Sequence, residues 1–311
     1  MSQLNYARYG KDNVRLYKVH KHDDGTQSVV EQTVRVLLEG DIETSYTQAD
    51  NSVVVATDTQ KQTIYILAKQ NPVTPPELFA SIVGSHFVQT YPHIHGAHVR
   101  IVTHKWSRMN VGGSPHPHSF QRDGAEVRTV DAYVREKGGI SITSGIDRLL
   151  VLKSTGSAFY GFHRDEYTRL PETWDRILST EVKSTWDWAT FSGLDDVKAK
   201  ASSFNKAFDD ALKIILETFA TDNSASVQNT MYKMSEQILA AAPLVEQVSF
   251  SLPNKHYFEV ALGTGSNSPI DLSWFKGIKN TGKDAEVFAP QTDPNGLIEC
   301  TVARKGAKAK L

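Results

Sequence analysis

This chain of 311 residues has very little cysteine, almost no net charge and no long apolar run. Its single cysteine, Cys300, excludes an intramolecular disulfide framework and is typical of a reducing compartment. A net charge of -1 favours neither a nucleic-acid-binding protein nor an acidic scaffold. No apolar run approaches the ~20 residues of a membrane span, and residues 1–5 lack the apolar block of a secretory signal. The composition therefore indicates a globular protein long enough for two lobes.

Strand and helix patterns follow the same order in both halves of the chain. In the first half, β-branched runs predict strands over residues 14–20, 29–38, 52–56, 63–68 and 94–106. Before the last of these, Thr74 and Glu77 have the spacing of a capping box, which predicts the start of a helix. In the second half, strand patterns cover residues 149–153, 159–162, parts of 173–188, 245–250 and 255–262. Two amphipathic helices are predicted between them, the second capped by Asn223 or Ser224.

The sequence around Thr57 also resembles the sequence around Thr180, which suggests a duplication. We predict one unit at residues 1–140, a second at 141–295 and a C-terminal tail at 296–311. Each unit would gather its helices on one face of an antiparallel sheet, so the predicted fold class is α+β. An open sheet has two unpaired edges, and closure with other subunits is one way to remove them. We therefore expect an oligomer.

Two polar clusters occur within these predicted elements. Asn254 and His256 are spaced by two in a strand-like run, so their side chains should point to the same face. An amide beside an imidazole suits a site that holds a small polar molecule and moves a proton. Thr57 and Asp58 form the other cluster, far upstream. The two clusters would have to meet by folding or by assembly.

The histidines between residues 93 and 118 raise the alternative of a zinc or copper site. However, His98 and His104 share a predicted strand face with Arg100, which is a poor environment for a cation. His116 and His118 lie in a Gly-Gly-Ser-Pro segment that is interpreted as a loop. We therefore predict no metal site here.

Ordered matches to one known family run through nearly the whole chain. They include Arg8-Tyr-Gly-Lys11-Asp-Asn-Val, Val55-Ala-Thr57-Asp58, Asp175-Arg176-Ile-Leu-Ser-Thr, Ala225-Ser-Val227-Gln228, Leu252-Pro-Asn-Lys-His256-Tyr-Phe and Asp293-Pro-Asn-Gly-Leu-Ile. On these residues the chain resembles the urate oxidase (uricase) family of cofactor-free purine oxidases. The resemblance implies two tandem tunnelling-fold (T-fold) units and a homotetramer whose sheets pair into a barrel around a tunnel. It also implies active sites at subunit interfaces.

The resemblance assigns the site residues to two neighbouring subunits. One subunit would supply Lys11, Thr57 and Asp58, and its neighbour would supply Phe159, Arg176, Val227, Gln228, Asn254 and His256. Arg176 would bind one edge of the purine with its planar fork of donors, and Gln228 would bind the opposite edge. Phe159 would stack on the ring, and the backbone N–H groups of Val227 and Gln228 would face the anion from the first turn of a helix.

Three of these residues would move protons. The resemblance implies a relay of Lys11, Thr57 and His256, with Asn254 and Thr57 holding dioxygen or water over the ring. The resemblance also assigns Thr57 and Asp58 to substrate binding. The Asp58 carboxylate either accepts from Lys11 or caps a turn after a strand.

The reaction implied is the oxidation of urate by dioxygen and water to 5-hydroxyisourate and hydrogen peroxide. No cofactor is expected, since the sequence shows no nucleotide loop, flavin fingerprint or haem motif. Two alternatives remain: a T-fold enzyme acting on pterins, against which Arg176 and Gln228 argue, and a non-catalytic purine-binding homologue. Residues 261–270 are an insertion relative to the family pattern. The terminal Ala309-Lys310-Leu311 is a variant of the peroxisomal address, so we expect recognition by the import receptor and a peroxisomal location.

Overall fold

A computed structural model describes residues 2–260 and 278–306, apart from the side chain of Thr292. Eight strands form one antiparallel sheet in sequence order. They are β1 (Tyr9–Lys21), β2 (Gln27–Gly40), β3 (Ile94–Val111), β4 (Ser114–Arg135), β5 (Ile140–Lys153), β6 (Leu178–Trp188), β7 (Val245–Glu259) and β8 (Phe288–Ala303). Six helices follow β2 and β6 in two groups of three: α1 (Glu43–Thr47), α2 (Thr57–Gln70), α3 (Pro76–Thr90), then α4 (Leu194–Ala199), α5 (Ala201–Thr221) and α6 (Val227–Ala241).

The order of two strands, three helices and two strands thus occurs twice, and the α+β class is as predicted. The division into two units stays a prediction. Strand β8 continues to Ala303 and pairs with β7, so residues 296–303 belong to the sheet at the place where the tail was predicted to begin. The predicted insertion at 261–270 and the terminal tripeptide at 309–311 lie outside the described residues.

The predicted strands over residues 52–56 and 63–68 are wrong. Residues Asn51–Val53 form a single 3-10 turn, which Asp50 caps by accepting a hydrogen bond from Ser52 N. Helix α2 then begins at Thr57, and its buried side chains have helical rather than alternating spacing: Gln60, Thr63, Ile64, Leu67 and Ala68. The suggested local repeat fails for the same reason, because Thr180 lies in strand β6.

The predicted capping box at Thr74 and Glu77 is also wrong. Helix α3 begins after Pro75 without any side-chain cap. The Glu77 side chain is fully buried and accepts hydrogen bonds from Arg128 (2.7 Å) and Ser144 (2.6 Å). The residue that resembled a surface cap is therefore a core carboxylate.

Strand β4 was not predicted because its first half lacks apolar alternation. Residues 114–126 form an arm of the β3–β4 hairpin in which no residue is buried, so no buried face selects apolar side chains there. Prolines at 115 and 117 also read as loop residues. Arg108 holds this arm by donating to the carbonyl oxygens of His116 (2.6 Å) and Pro117 (2.7 Å).

The core lies between the helices and one face of the sheet. On β2, for example, Val34, Val36 and Leu38 are fully buried, whereas the intervening residues are partly exposed. Trp186, Trp188 and Phe204 are among the largest fully buried side chains, and each burial of this size stabilises the fold by roughly 1.5–3 kcal/mol. Strands β1 and β8 each have one strand neighbour, so the described sheet has two edges. None of the described helices has the length and apolar character needed to cross a membrane.

His95 joins the ends of three segments at one end of the sheet. Its Nε2 lies 3.0 Å from Asp41 Oδ2, and its Nδ1 lies 2.9 Å from Glu136 Oε2. The hydrogen bond with Asp41, assisted by Glu136, raises the pKa of His95 above the ordinary value, against the effect of burial. The protonated imidazole therefore stabilises the folded chain.

This contact predicts a pH-dependent contribution to stability. Since the pKa of His95 is raised by folding, its stabilisation is complete below pH ~6.5 and is lost as the pH rises through the folded pKa. We expect the melting-temperature difference between the unaltered protein and His95→Gln to be largest near pH ~6 and smallest near pH ~8.5. The effect should be small, because the side chain is 42% exposed. Thermal unfolding across this range checks the sign, and a difference that grows with pH would contradict it.

Candidate active site

Lys11, Thr57 and Asp58 lie together at the β1 edge of the sheet. Lys11 is half-buried on β1, directly before a bulge in its pairing with β2. Helix α2 packs against β1, and the hydroxyl of Tyr9 accepts a hydrogen bond from Val55 N (2.7 Å), which holds the approach to this helix. Thr57 is the first residue of α2. The first N–H groups of a helix have no helical partner, and its dipole favours an anion at this end.

Asp58 is exposed in the first turn of α2 and pairs with Lys61. The hydrogen bond from Lys61 lowers the pKa of Asp58, and the charge of Lys11 lowers it further. The predicted alternative in which Asp58 caps a turn after a strand is wrong, because this segment is helical. The charge of Lys11 acts on Asp58, and the other alternative, in which Asp58 accepts a hydrogen bond from Lys11, stays a prediction.

Arg176 and Phe159 form the centre of the second cluster. The Arg176 guanidinium carbon lies 5.1 Å from the centroid of the Phe159 ring. Burial lowers the pKa of Arg176, and its Nε is a buried donor without a partner in the part of the chain that is described. A buried unsatisfied donor costs about 1–3 kcal/mol, which a ligand acceptor would recover. The pair therefore offers a charged fork beside an aromatic face.

His256 lies close enough to Arg176 to be affected by its charge. Burial, and then the positive charge of Arg176, lower the pKa of His256. Its imidazole is therefore neutral at pH ~7, with one nitrogen able to donate and the other able to accept. Asn254 lies on the same strand, opposite Thr180 of β6, and the pairing of β7 with β8 shifts register between Asn254 and His256.

The start of α6 supplies Val227 and Gln228, as predicted. The capping residue is Ser226, not Asn223 or Ser224, and its Oγ accepts a hydrogen bond from Asn229 N (3.4 Å). The same hydroxyl lies 3.0 Å from Gln228 Oε1, which orients the amide of the exposed Gln228. The signal for this cap was available, because Ser226 directly precedes the helical pattern.

Backbone hydrogen bonds hold these parts together. Ala158 N donates to Ser224 O (3.0 Å), just before α6, and Arg176 N donates to Ser157 O (2.8 Å). Phe159 and Thr173 exchange two bonds as an isolated bridge, so the predicted strand over residues 159–162 is wrong. Phe159, Arg176 and the start of α6 are therefore positioned as one unit.

A single chain does not bring the two clusters together. Lys11 is on β1 and His256 on β7, six strand spacings apart, or about 29 Å across the sheet. A cavity of about 370 Å³ lies on the polar face over β6, β7 and β8, but none of the predicted site residues lines it. The structure assembles two partial sites at separate positions in the sheet.

The histidine-rich region does not form a metal centre in the described residues. Within residues 2–260 and 278–306, no three His, Cys, Asp or Glu side chains form a group suited to a metal ion. His98 contacts Glu39 (3.1 Å) and His104 contacts Thr33 (2.9 Å). The loop predicted at His116 and His118 is wrong, because both residues lie in β4.

Comparisons with known proteins agree on one family. The Uricase family profile matches residues 7–133 and 142–299. The uricases of Emericella nidulans and Aspergillus flavus are 64% and 62% identical to this chain, each over 100% of both sequences. The solved uricase of Arthrobacter globiformis is 35% identical with a TM-score of 0.85, covering 100% of this chain and 98% of its own. A urate oxidase from Bacillus sp. TB-90, at 22% identity, has a TM-score of 0.78 over 96% of this chain and 100% of its own, which shows the fold. The chain belongs to the uricase family.

Proposed function

We propose that this protein oxidises urate with dioxygen and water, giving 5-hydroxyisourate and hydrogen peroxide without a cofactor. The observation that carries the proposal is a buried donor of Arg176 that has no partner among the described residues and lies beside the Phe159 ring and the neutral His256. Urate is a flat anion with hydrogen-bonding edges, so it matches a charged fork and an aromatic face. Membership of the uricase family supports the same substrate.

The second cluster binds the substrate. Arg176 donates to the oxygen and nitrogen atoms along one edge of urate, and the amide of Gln228 binds the opposite edge. Phe159 covers the ring face. The N–H groups of Val227 and Gln228 lie in the first turn of α6, where the helix itself provides no acceptor, and they add favourable potential for the anion.

The catalytic groups remove a proton and place the oxidant. Deprotonation makes urate electron-rich, and urate then gives two electrons to dioxygen, which leaves as hydrogen peroxide. Water supplies the hydroxyl group that is added to the ring. Lys11, Thr57 and His256 relay the protons, and His256 can accept one because its imidazole is neutral. Asn254 and Thr57 hold dioxygen, and later water, above the ring.

The complete site requires two chains. The residue paired with Lys11 on β2 has its own partner on β3, and so on across the sheet. This series of pairings ends near Gln247 on β7 and Ala303 on β8, and Gln247 lies toward the opposite end of β7 from Asn254. Strands in a closed barrel tilt by ~35–45° from the barrel axis, and eight strands are ~38 Å wide. Because of this tilt, the position in the next chain at the same height as Lys11 is displaced by roughly 30 Å along a strand. Asn254 lies about 23 Å beyond Gln247 at ~3.3 Å per residue. A barrel therefore brings Lys11 of one chain close to the level of Asn254 of the next.

The assembly and location belong to the same proposal. Two T-fold units, at residues 1–140 and 141–295, form each subunit, and four subunits form a barrel around a tunnel. The two sheet edges at β1 and β8 support closure with other copies. The terminal Ala309-Lys310-Leu311 directs the protein to peroxisomes, where catalase consumes the peroxide product.

The first test is urate absorbance against time in aerated buffer, using chelator-treated protein and a parallel peroxide assay. The proposal expects urate loss with an equal amount of peroxide. Binding of urate without loss would instead favour a non-catalytic purine-binding homologue or a metal requirement. Turnover of a pterin but not of urate would favour the other T-fold activity.

Replacing Arg176 by Ala should raise the KM for urate by about tenfold or more, because a charge-assisted paired contact is lost. The matched control is Arg164→Ala. The Arg164 guanidinium carbon lies 5.2 Å from the ring of Phe162, which in turn stacks on Phe159 at 4.7 Å, so this variant removes a similar cation–π contact one ring away from the site. Steady-state kinetics of both variants test the assignment. An unchanged KM in Arg176→Ala, or an equal rise in both variants, would contradict it.

A further inference from the structure

The Asp175 carboxylate connects several segments of the loop that carries Phe159 and Arg176. Its Oδ2 accepts a hydrogen bond from Thr155 Oγ1 (2.6 Å), and its Oδ1 accepts one from Gly156 N (2.9 Å). The Thr155 hydroxyl lowers the pKa of Asp175, and the backbone N–H groups of Gly156, Ser157 and Arg176 lower it further. The Asp175 carboxylate thus accepts hydrogen bonds both from the residues before Phe159 and from Arg176, the residue directly after Asp175.

The segments that Asp175 joins lead to Arg176, to Phe159 and to the start of α6 in the second cluster. Residue 157 receives the backbone hydrogen bond from Arg176 and bridges to Ser224, ahead of Val227 and Gln228. The backbone carbonyl of Asp175 also accepts from Thr173 Oγ1 (3.0 Å), and Thr173 forms the bridge with Phe159. Displacing the carboxylate would therefore shift the aromatic face and the charged fork relative to each other.

Asp175 does this without pairing with Arg176. A sequence neighbour of opposite charge would be expected to neutralise an arginine, but the described ion pairs do not include these two residues. Because the carboxylate is committed to Thr155 and Gly156, the guanidinium keeps its donors for a ligand. This arrangement separates positioning from charge neutralisation.

We propose that Asp175 is a positioning residue for the urate clamp, holding Arg176 and Phe159 in the geometry that binds the substrate. This inference rests on the proposed function. Asp175 has no role in the proton relay, so its loss acts on binding. The loop geometry that it fixes determines how well a flat ring fits between the aromatic face and the fork.

Three variants test this role. Asp175→Ala should raise the KM for urate by about tenfold and change kcat by less than about twofold. Asp175→Asn keeps one oxygen acceptor and should give an intermediate KM. Thr155→Val removes one of the donors and should change KM in the same direction by a smaller factor. The dissociation constant of urate, measured without dioxygen so that no turnover occurs, should rise in parallel with KM.

The matched control is Asp165→Ala in the same loop. Asp165 Oδ1 accepts from Tyr167 N (3.0 Å) and Thr168 Oγ1 (2.8 Å), so it makes a similar set of contacts that stabilise only its own turn. Its KM should stay unchanged. Equal KM values for Asp175→Ala and the unaltered protein would overturn the inference, and so would a fall in kcat with KM unchanged. If the unaltered protein binds but does not oxidise urate, the proposed function fails, while the dissociation constants still decide the role of Asp175.

Discussion

Replacing Lys11 by Met should lower kcat by about a thousandfold and leave the KM for urate almost unchanged. Met has a similar length but carries no proton, so the relay loses a member. Binding should persist because most of the substrate-binding residues belong to the other cluster, on β7, α6 and the loop before β6. Lys11 is half-buried directly before a bulge on β1, and the unbranched Met side chain should leave the strand pairing intact. Steady-state kinetics and the size of the assembly measure both parts of the prediction.

Lys18→Met is the matched control on the same strand. Lys18 Nζ donates to the carbonyl oxygens of Ala68 (2.7 Å) and Asn71 (2.8 Å) at the end of α2. Its loss should lower the melting temperature and leave kcat unchanged, since these contacts are remote from the first turn of α2. A Lys11→Met protein with a kcat within a few-fold of the unaltered value would remove Lys11 from the relay.

Replacing Arg128 by Met should lower the free energy of unfolding by about 3–5 kcal/mol, because it leaves a buried carboxylate without its ion-pair partner. The Glu77 side chain is 0% exposed and that of Arg128 is 11% exposed. Arg128 also donates to Asn205 (2.8 Å), which links α5 to this contact. Urea denaturation at one fixed protein concentration measures the change, since subunit association contributes to the apparent stability.

The double variant Glu77→Gln with Arg128→Met separates lost pairing from lost packing. The amide that replaces the Glu77 carboxylate would carry no charge and could still accept from Ser144, so the double variant should be more stable than Arg128→Met alone. An Arg128→Met protein as stable as the double variant would show that the buried charge carries little of the cost. Neither residue belongs to the proposed active site, so the intact fraction should retain its KM for urate.

The sequence predicts most of the helices and strands that bury one face, because apolar residues then recur with the period of the helix or strand. The stripe that includes Phe204, Ile215 and Phe219 predicts α5, and these three side chains are buried in the structure. Prediction failed where local pattern and tertiary environment disagree. The valines before Thr57 read as a strand although they lie in a turn before α2, and Glu77 reads as a cap although the core supplies its partners. Long-range contacts of this kind have no local signal.

The candidate site was predicted by its residues rather than by its geometry. The family resemblance named the members of both clusters, and the structure connects Arg176 with Phe159, His256 and the start of α6 within one chain. The family resemblance could not show that Asp175 organises the loop, because a carboxylate next to Arg176 is interpreted from sequence as its ion-pair partner. Nor could local patterns place Lys11 far from His256 in the sheet, since that separation follows from strand order. The expectation of a shared site stays a prediction about the assembly.

Subunit complementation tests most directly the claim that a complete site needs two chains. Lys11→Met and His256→Ala each remove a catalytic group, but from different clusters. Each variant alone should be nearly inactive, and assemblies formed by equal mixing of the two should regain about a quarter of the unaltered activity, because about one site in four then receives both intact clusters. Mass spectrometry of the intact assemblies confirms the mixing. Mixed assemblies no more active than the separate variants would contradict a site shared between subunits.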